Sequence, residues 1–129
     1  MRREKKMYNV IVADDEKNIR EGIVELIEWE KLGCKVCASM QNGAQVLKYL
    51  EEEKIHVDII ITDIKMPIMD GMELIGMLNE RFPDIKVIIL TAYSDFTYAQ
   101  QAIKFQVSDF VVKNDFFLEL PREIGRAHV

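Results

Sequence analysis

The chain has 129 residues, of which 49% are hydrophobic and 30% charged; this suits one core and is short for two, so residues 1–129 read as a single domain with its core over about 8–120. Acidic residues number 22 and basic residues 17, a net charge of −5. An acidic domain is a poor nucleic-acid binder, because phosphate contacts need clustered Lys and Arg, and any contact with DNA would need a part not present here. No apolar run reaches the roughly 18 residues of a membrane span, and the basic start MRREKKMYNV lacks the apolar stretch of a signal peptide. A cytoplasmic protein is expected.

In chain order, Tyr8–Ala13 (YNVIVA) has the pattern of a short buried strand, and residues 16–31 carry Ile19, Ile23, Leu26 and Ile27 at helical spacing, with Gly33 as the stop. Cys34–Met40 is strand-like. Asn42 is placed to cap a helix running to about residue 53, with Val46, Leu47 and Leu50 inward. Residues 57–62 (VDIIIT) form the clearest buried strand. Gly71–Arg81 is helical through Leu74, Ile75 and Leu78, and is closed by Pro83. Lys86–Thr91 (KVIILT) is a strand, residues 95–105 a shorter helix, and residues 109–113 (DFVVK) a fifth strand. Alternating strands and helices, with strands apolar on both faces, predict an α/β fold: a doubly wound parallel five-stranded sheet, flavodoxin-like, of order 2-1-3-4-5. After Pro121 the helical periodicity fades, which predicts a shortened final helix, and residues 125–129 (GRAHV) read as a non-native tail.

Cys34 and Cys37 form a C-x2-C, but there is no second pair or nearby His pair to complete a zinc site. A redox pair would open a helix, and CKVCASM reads as a strand; two ordinary cysteines are expected.

The polar residues that matter stand at strand ends. Asp14 and Asp15 follow the first strand, Asp63 the third, Thr91 ends the fourth and Lys113 the fifth. Parallel strands share one carboxyl edge, where sites form. Singly, each residue has an ordinary explanation: Asp14, Asp15 or Thr91 as a helix cap, Asp63 as a turn before Pro67, Lys113 as a solvated strand end. Together they place three carboxylates, a hydroxyl and an ammonium on one edge. Such carboxylates repel and call for a hard cation, best Mg2+. One of them can serve as a nucleophile toward phosphorus.

The segments VIVADDE (10–16), DIIITDIKMPIMDG (58–71), VIILTAY (87–93) and DFVVK (109–113) resemble the receiver domain of bacterial two-component response regulators, collinearly from about Tyr8 to Lys113. The resemblance implies that Asp63 is phosphorylated by a sensor histidine kinase, the domain itself catalysing this transfer and slow hydrolysis through Asp63, Thr91 and Lys113. It implies Mg2+ ligation by Asp14, Asp15, Asp63 and the backbone carbonyl of Lys65, with Asp15 the more direct of the acidic pair. Thr91 and Phe110 match the switch positions; Pro67, Asp70 and Gly71 match the turn that shapes the loop after the phosphoacceptor. IEWEKLG (27–33) and SDFTYAQQAIKFQVSDFVVK (94–113) are similar to regulators with an AraC-type DNA-binding output domain, so a transcription-regulating domain is expected outside this chain. A homodimer through the fourth helix, fifth strand and final helix is a further expectation. The family usually has Pro after the lysine, and here Asn114 stands there. A trans Lys113–Asn114 bond is therefore expected, because cis costs about 2.5–4 kcal/mol before a residue other than Pro.

Two other functions are disfavoured. A haloacid-dehalogenase-like phosphatase would need an Asp two residues after the nucleophile, where Lys65 stands, and a capping insertion. A degenerate receiver acting only as a binding module would have lost part of the acidic pair, Asp63 or Lys113, and all are present.

Overall fold

The structure, a computed structural model, describes residues 7–92, 109–113 and 116–127. Its elements are β1 (Tyr8–Ala13), α1 (Lys17–Leu26), a 3-10 turn (Trp29–Leu32), β2 (Cys34–Met40), α2 (Gly43–Glu52), β3 (Ile59–Asp63), α3 (Gly71–Arg81), β4 (Lys86–Thr91), β5 (Asp109–Val112) and a C-terminal helix (Phe116–Ala127). The strands form a parallel sheet of order β2-β1-β3-β4-β5. The helix expected over residues 95–105 lies outside the described residues.

The two-residue period of the strands divides the core into two layers. Ile11, Ala13, Ile60, Val87 and Ile89 face one side, where they pack with Val46 and Leu47 of α2 and Leu74, Ile75 and Leu78 of α3. Val10, Val12, Ile59, Ile61, Ile88 and Leu90 face the other, against Ile23 of α1 and Leu120 and Ile124 of the C-terminal helix. Strands covered on both faces cannot alternate with polar residues, and so IVA, IIIT and VIIL read as continuous apolar runs. Each fully buried aliphatic side chain contributes about 1.5–3 kcal/mol.

Two helices differ from the sequence expectation. The single helix expected over 16–31 ends at Leu26, because the chain turns there to bury Trp29, whose indole N–H donates to the carbonyl of Val24 at 3.2 Å. Gly33 then closes the 3-10 turn with φ 72°, donating to the carbonyl of Glu30. The final helix is not shortened: it has 12 residues. Phe116, Leu120 and Ile124 are spaced one turn apart and pack on the sheet. Pro121 sits inside this helix, where it cannot bond the carbonyl of Phe117, a defect of about 3 kcal/mol that the burial of Leu120 and Ile124 offsets.

The loop from β3 to α3 is held by close backbone contacts. Gly71 N–H donates to the carbonyl of Ile64 at 2.6 Å, and a Cβ on Gly71 would lie 2.1 Å from the carbonyl oxygen of Asp63. Space alone dictates glycine there. Asp70 caps α3 by accepting from Glu73 N–H, and Asn42 caps α2 by accepting from Gln45 N–H. Between these anchors Ile68 has φ 69° and is 83% exposed. A β-branched residue in the left-handed region is strained, and an exposed side chain gains little there.

Two substitutions test this loop. Ile68→Asn relieves the strain and should raise stability by about 0.5–1 kcal/mol, read as a higher urea midpoint, whereas Ile68→Val should leave it unchanged. Gly71→Ala should cost about 1–3 kcal/mol, since backbone must move to admit the methyl group; an unchanged midpoint would contradict the close approach.

Candidate functional site

The carboxyl edge of the sheet gathers charged side chains from three strands. Asp63, the last residue of β3, is 4% exposed, and Asp14, immediately after β1, is fully buried. Lys113 follows β5 and is 8% exposed. Its ammonium lies 2.9 Å from Asp63 Oδ2, 2.9 Å from Glu16 Oε1 and 3.1 Å from Asp14 Oδ2. The order of the strands is what allows this: β1 and β3 are neighbours, and β5 reaches the same edge beyond β4. Lys113 therefore meets the acidic cluster with Asn114 after it. Among the described residues no peptide bond is cis; the Lys113–Asn114 bond involves Asn114, outside the described residues.

The remaining bonds hold the carboxylates in place. Asp63 Oδ1 accepts from its neighbour Ile64 N–H at 2.7 Å, which leaves Oδ2 toward Lys113. Asp14 Oδ1 accepts from Glu16 N–H at 2.9 Å, and the Arg20 guanidinium donates to the Asp14 carbonyl at 2.7 Å. Asp14 Oδ2 is buried and, despite its ion-pair distance to Lys113, lies outside hydrogen-bond geometry. Thr91 is fully buried at the end of β4, and its hydroxyl donates to the carbonyl of Ala92 at 3.0 Å. Phe110 pairs with Ile89 in the sheet; its side chain lies outside the described residues.

Asp14, Glu16 and Asp63 each offer a carboxylate oxygen within 4.8 Å of the others. Asp15, expected as the more direct ligand of a metal, is exposed and outside that group of side chains. Residues at a strand end alternate in direction, so Asp14 points in and Asp15 out, and the turn at Glu16 brings the third acid back. Glu16 escaped the sequence reading. Its signal was available: it is two residues beyond Asp14, on the same side of the extended chain. The two cysteines are unpaired with each other. Burial pushes the Cys34 thiol up to about 11 and raises that of Cys37, which makes both poor thiolates, as ordinary cysteines should be.

Three carboxylates against one ammonium leave negative charge in excess. Burial, with Asp14 beside it, raises the Asp63 carboxyl to about 6 despite the Lys113 bond. Burial also raises Asp14. Burial opposes the charge on Lys113, but its bonds to Glu16 and Asp63 outweigh this and hold the ammonium well above the ordinary lysine range. The excess charge and the unbonded Asp14 Oδ2 are what a hard cation would satisfy, and an all-oxygen donor set fits Mg2+.

The raised Asp63 value has a consequence for stability. A carboxyl that binds its proton more tightly when folded favours the fold below its unfolded value near 3.8, and that contribution is lost as pH rises through about 6. In the absence of divalent cations, Asp63→Asn should therefore be more stable than the parent by about 1–3 kcal/mol at pH 8, with the difference shrinking toward pH 4. Denaturant titrations at the two pH values check this; a destabilised variant at pH 8 would show that the Lys113 pair outweighs the desolvation.

Comparison with known proteins places this arrangement. Residues 10–121 match the response regulator receiver domain family. An uncharacterised transcriptional regulatory protein of Bacillus subtilis, YesN, is 38% identical over 107 residues, covering 83% of this chain and 28% of its own length. The transcriptional regulatory protein HptR of Staphylococcus aureus is 31% identical over 120 residues, covering 93% and 46%. The chain thus spans less than half the length of these relatives. The receiver domain of AraT, a response regulator from Geobacillus stearothermophilus, superposes with a TM-score of 0.82 at 35% identity, covering 93% of this chain and 94% of that one. With the flavodoxin-like parallel sheet and the Asp14–Asp63–Lys113 cluster at its carboxyl edge, the chain belongs to the receiver domains of two-component response regulators.

Proposed function

We propose that this domain is a phosphorylation-dependent switch in which Asp63 accepts a phosphoryl group from a sensor histidine kinase. The observation that carries the reading is a buried strand-end carboxylate within 2.9 Å of a buried ammonium. At neutral pH Asp63, with its value near 6, is largely ionised and able to attack. A carboxylate oxygen of Asp63 forms a bond to phosphorus while the nitrogen–phosphorus bond of the donor phosphohistidine breaks. The electron pair of that bond goes to the ring nitrogen, and because the other ring nitrogen of the donor carries a proton, the imidazole leaves neutral. Ile64 N–H keeps Oδ1 oriented. Lys113 donates to the incoming phosphoryl oxygens, where negative charge must be balanced.

Asp14 and Asp63, with the carbonyl oxygen of Lys65 and with Asp15 turned in from its exposed position, would hold Mg2+, which supplies positive charge at the phosphoryl oxygens when bound. Slow hydrolysis by the domain itself returns it to the resting state. Thr91, buried at the end of β4, would turn its hydroxyl from Ala92 toward the phosphoryl group, and Phe110 would follow it inward. The face formed by the segment before β5, β5 and the C-terminal helix would then change its preference for partners, a second copy among them. Control of transcription would belong to an output domain of the AraC type outside this stretch, in keeping with the greater length of YesN and HptR. No helix among the described residues is long and apolar enough to cross a membrane.

Incubation with acetyl phosphate and Mg2+ should add one phosphoryl group, visible by intact mass and removed by hydroxylamine, and Asp63→Asn should remain unmodified. Modification of that variant at comparable yield would overturn the assignment.

A further inference from the structure

Glu16 is the one acid of the Lys113 cluster that the phosphoacceptor reading does not use. It occupies the N-cap position of α1, and its side chain makes no capping bond. The side chain goes to Lys113 instead, at 2.9 Å, as close as Asp63. Its backbone is fixed for that reach: Glu16 N–H is bonded to Asp14 Oδ1, and its carbonyl accepts from Arg20 N–H at 2.9 Å. An ammonium has three donors. Asp63 Oδ2 and Glu16 Oε1 accept from it at 2.9 Å and Asp14 Oδ1 at 3.5 Å, so all three are engaged in the resting state.

We propose that Glu16 is a positioning residue that holds Lys113 in the resting site and competes with the phosphoryl group for its ammonium. The proposal rests on the phosphoacceptor reading of Asp63. A phosphoryl group on Asp63 needs a donor from Lys113. Asp14 and Asp63 belong to the buried site itself, whereas the Glu16 side chain is 60% exposed. Water can solvate Glu16 once it is released, so this is the bond that yields at least cost. Glu16 thus biases the domain toward its unphosphorylated state through a bond that must open when the switch is set.

The test uses beryllium trifluoride, a stand-in for the phosphoryl group, titrated in the presence of Mg2+ into the parent chain, Glu16→Gln and Glu16→Asp. Glu16→Gln removes the charge; Glu16→Asp keeps the charge but shortens the arm. Both should bind the trifluoride about two- to five-fold more tightly than the parent, the range set by a partly exposed ion pair. Mg2+ affinity measured alone should be unchanged in both variants. An unchanged or weaker affinity in Glu16→Gln would overturn the proposal. Parent-like behaviour of Glu16→Asp would also overturn it, showing that general charge and not the bond matters. Loss of Mg2+ affinity in Glu16→Gln would assign Glu16 to the metal instead. If the parent chain fails to bind the trifluoride at all, the phosphoacceptor reading itself falls, and this inference with it.

Discussion

The bond between the Lys113 ammonium and Asp63 joins residues 50 positions apart and closes the carboxyl edge of the sheet. Both groups are buried, so neither can be left alone: an unpaired ammonium or carboxylate there would carry a desolvation penalty of several kcal/mol. Everything around the pair serves to keep it satisfied but not saturated. Ile64 N–H takes one oxygen of Asp63, Lys113 takes the other, and Asp14 keeps one oxygen without a hydrogen bond. A site with surplus negative charge has use for added positive charge, which is the condition under which a cation and then a phosphoryl group can be accommodated.

The fold exists on either side of that edge for a related reason. Strand residues of opposite parity bury themselves in two separate apolar layers, one under α2 and α3 and one under α1 and the C-terminal helix. A sheet supported on both faces is stiff, and its strand ends are held in register across four pairings. The polar cluster can therefore store electrostatic repulsion without distorting the core. The loop from β3 to α3 carries the compensating irregularities: a glycine against the Asp63 carbonyl and an isoleucine in a left-handed conformation. Strain of this kind persists where surrounding structure over-determines it, here the caps at Asn42 and Asp70 and the backbone bonds of Gly43 and Gly71.

The cluster also separates chemistry from control. Asp63 and Asp14 are inaccessible enough for their protonation to be set by burial, while Glu16 is exposed and can exchange Lys113 for water. A domain built this way can respond to a local charge event without unfolding any of its core. Its relatives YesN and HptR carry additional length beyond the stretch they share with this chain.

Local pattern determined most of this architecture. Runs such as VIVA, IIIT and VIIL fit strands covered on both faces, the alternation with helices implied parallel pairing, and strand-end Asp14, Asp63, Thr91 and Lys113 followed from the rule that such sheets place chemistry at their carboxyl edge. Asn42, Gly33 and Gly71–Arg81 were legible because capping and helix termination depend on neighbours a few residues away. What tertiary structure alone decided are choices in which a local preference yields to burial. Trp29 breaks a helix that periodicity would have continued, and Pro121 is tolerated in one that it would ordinarily end, because Leu120 and Ile124 bury against the sheet. The position of Asp15 outside the converging acids, and the entry of Glu16 among them, depend on where a lysine 97 residues away arrives, and no local rule contains that distance.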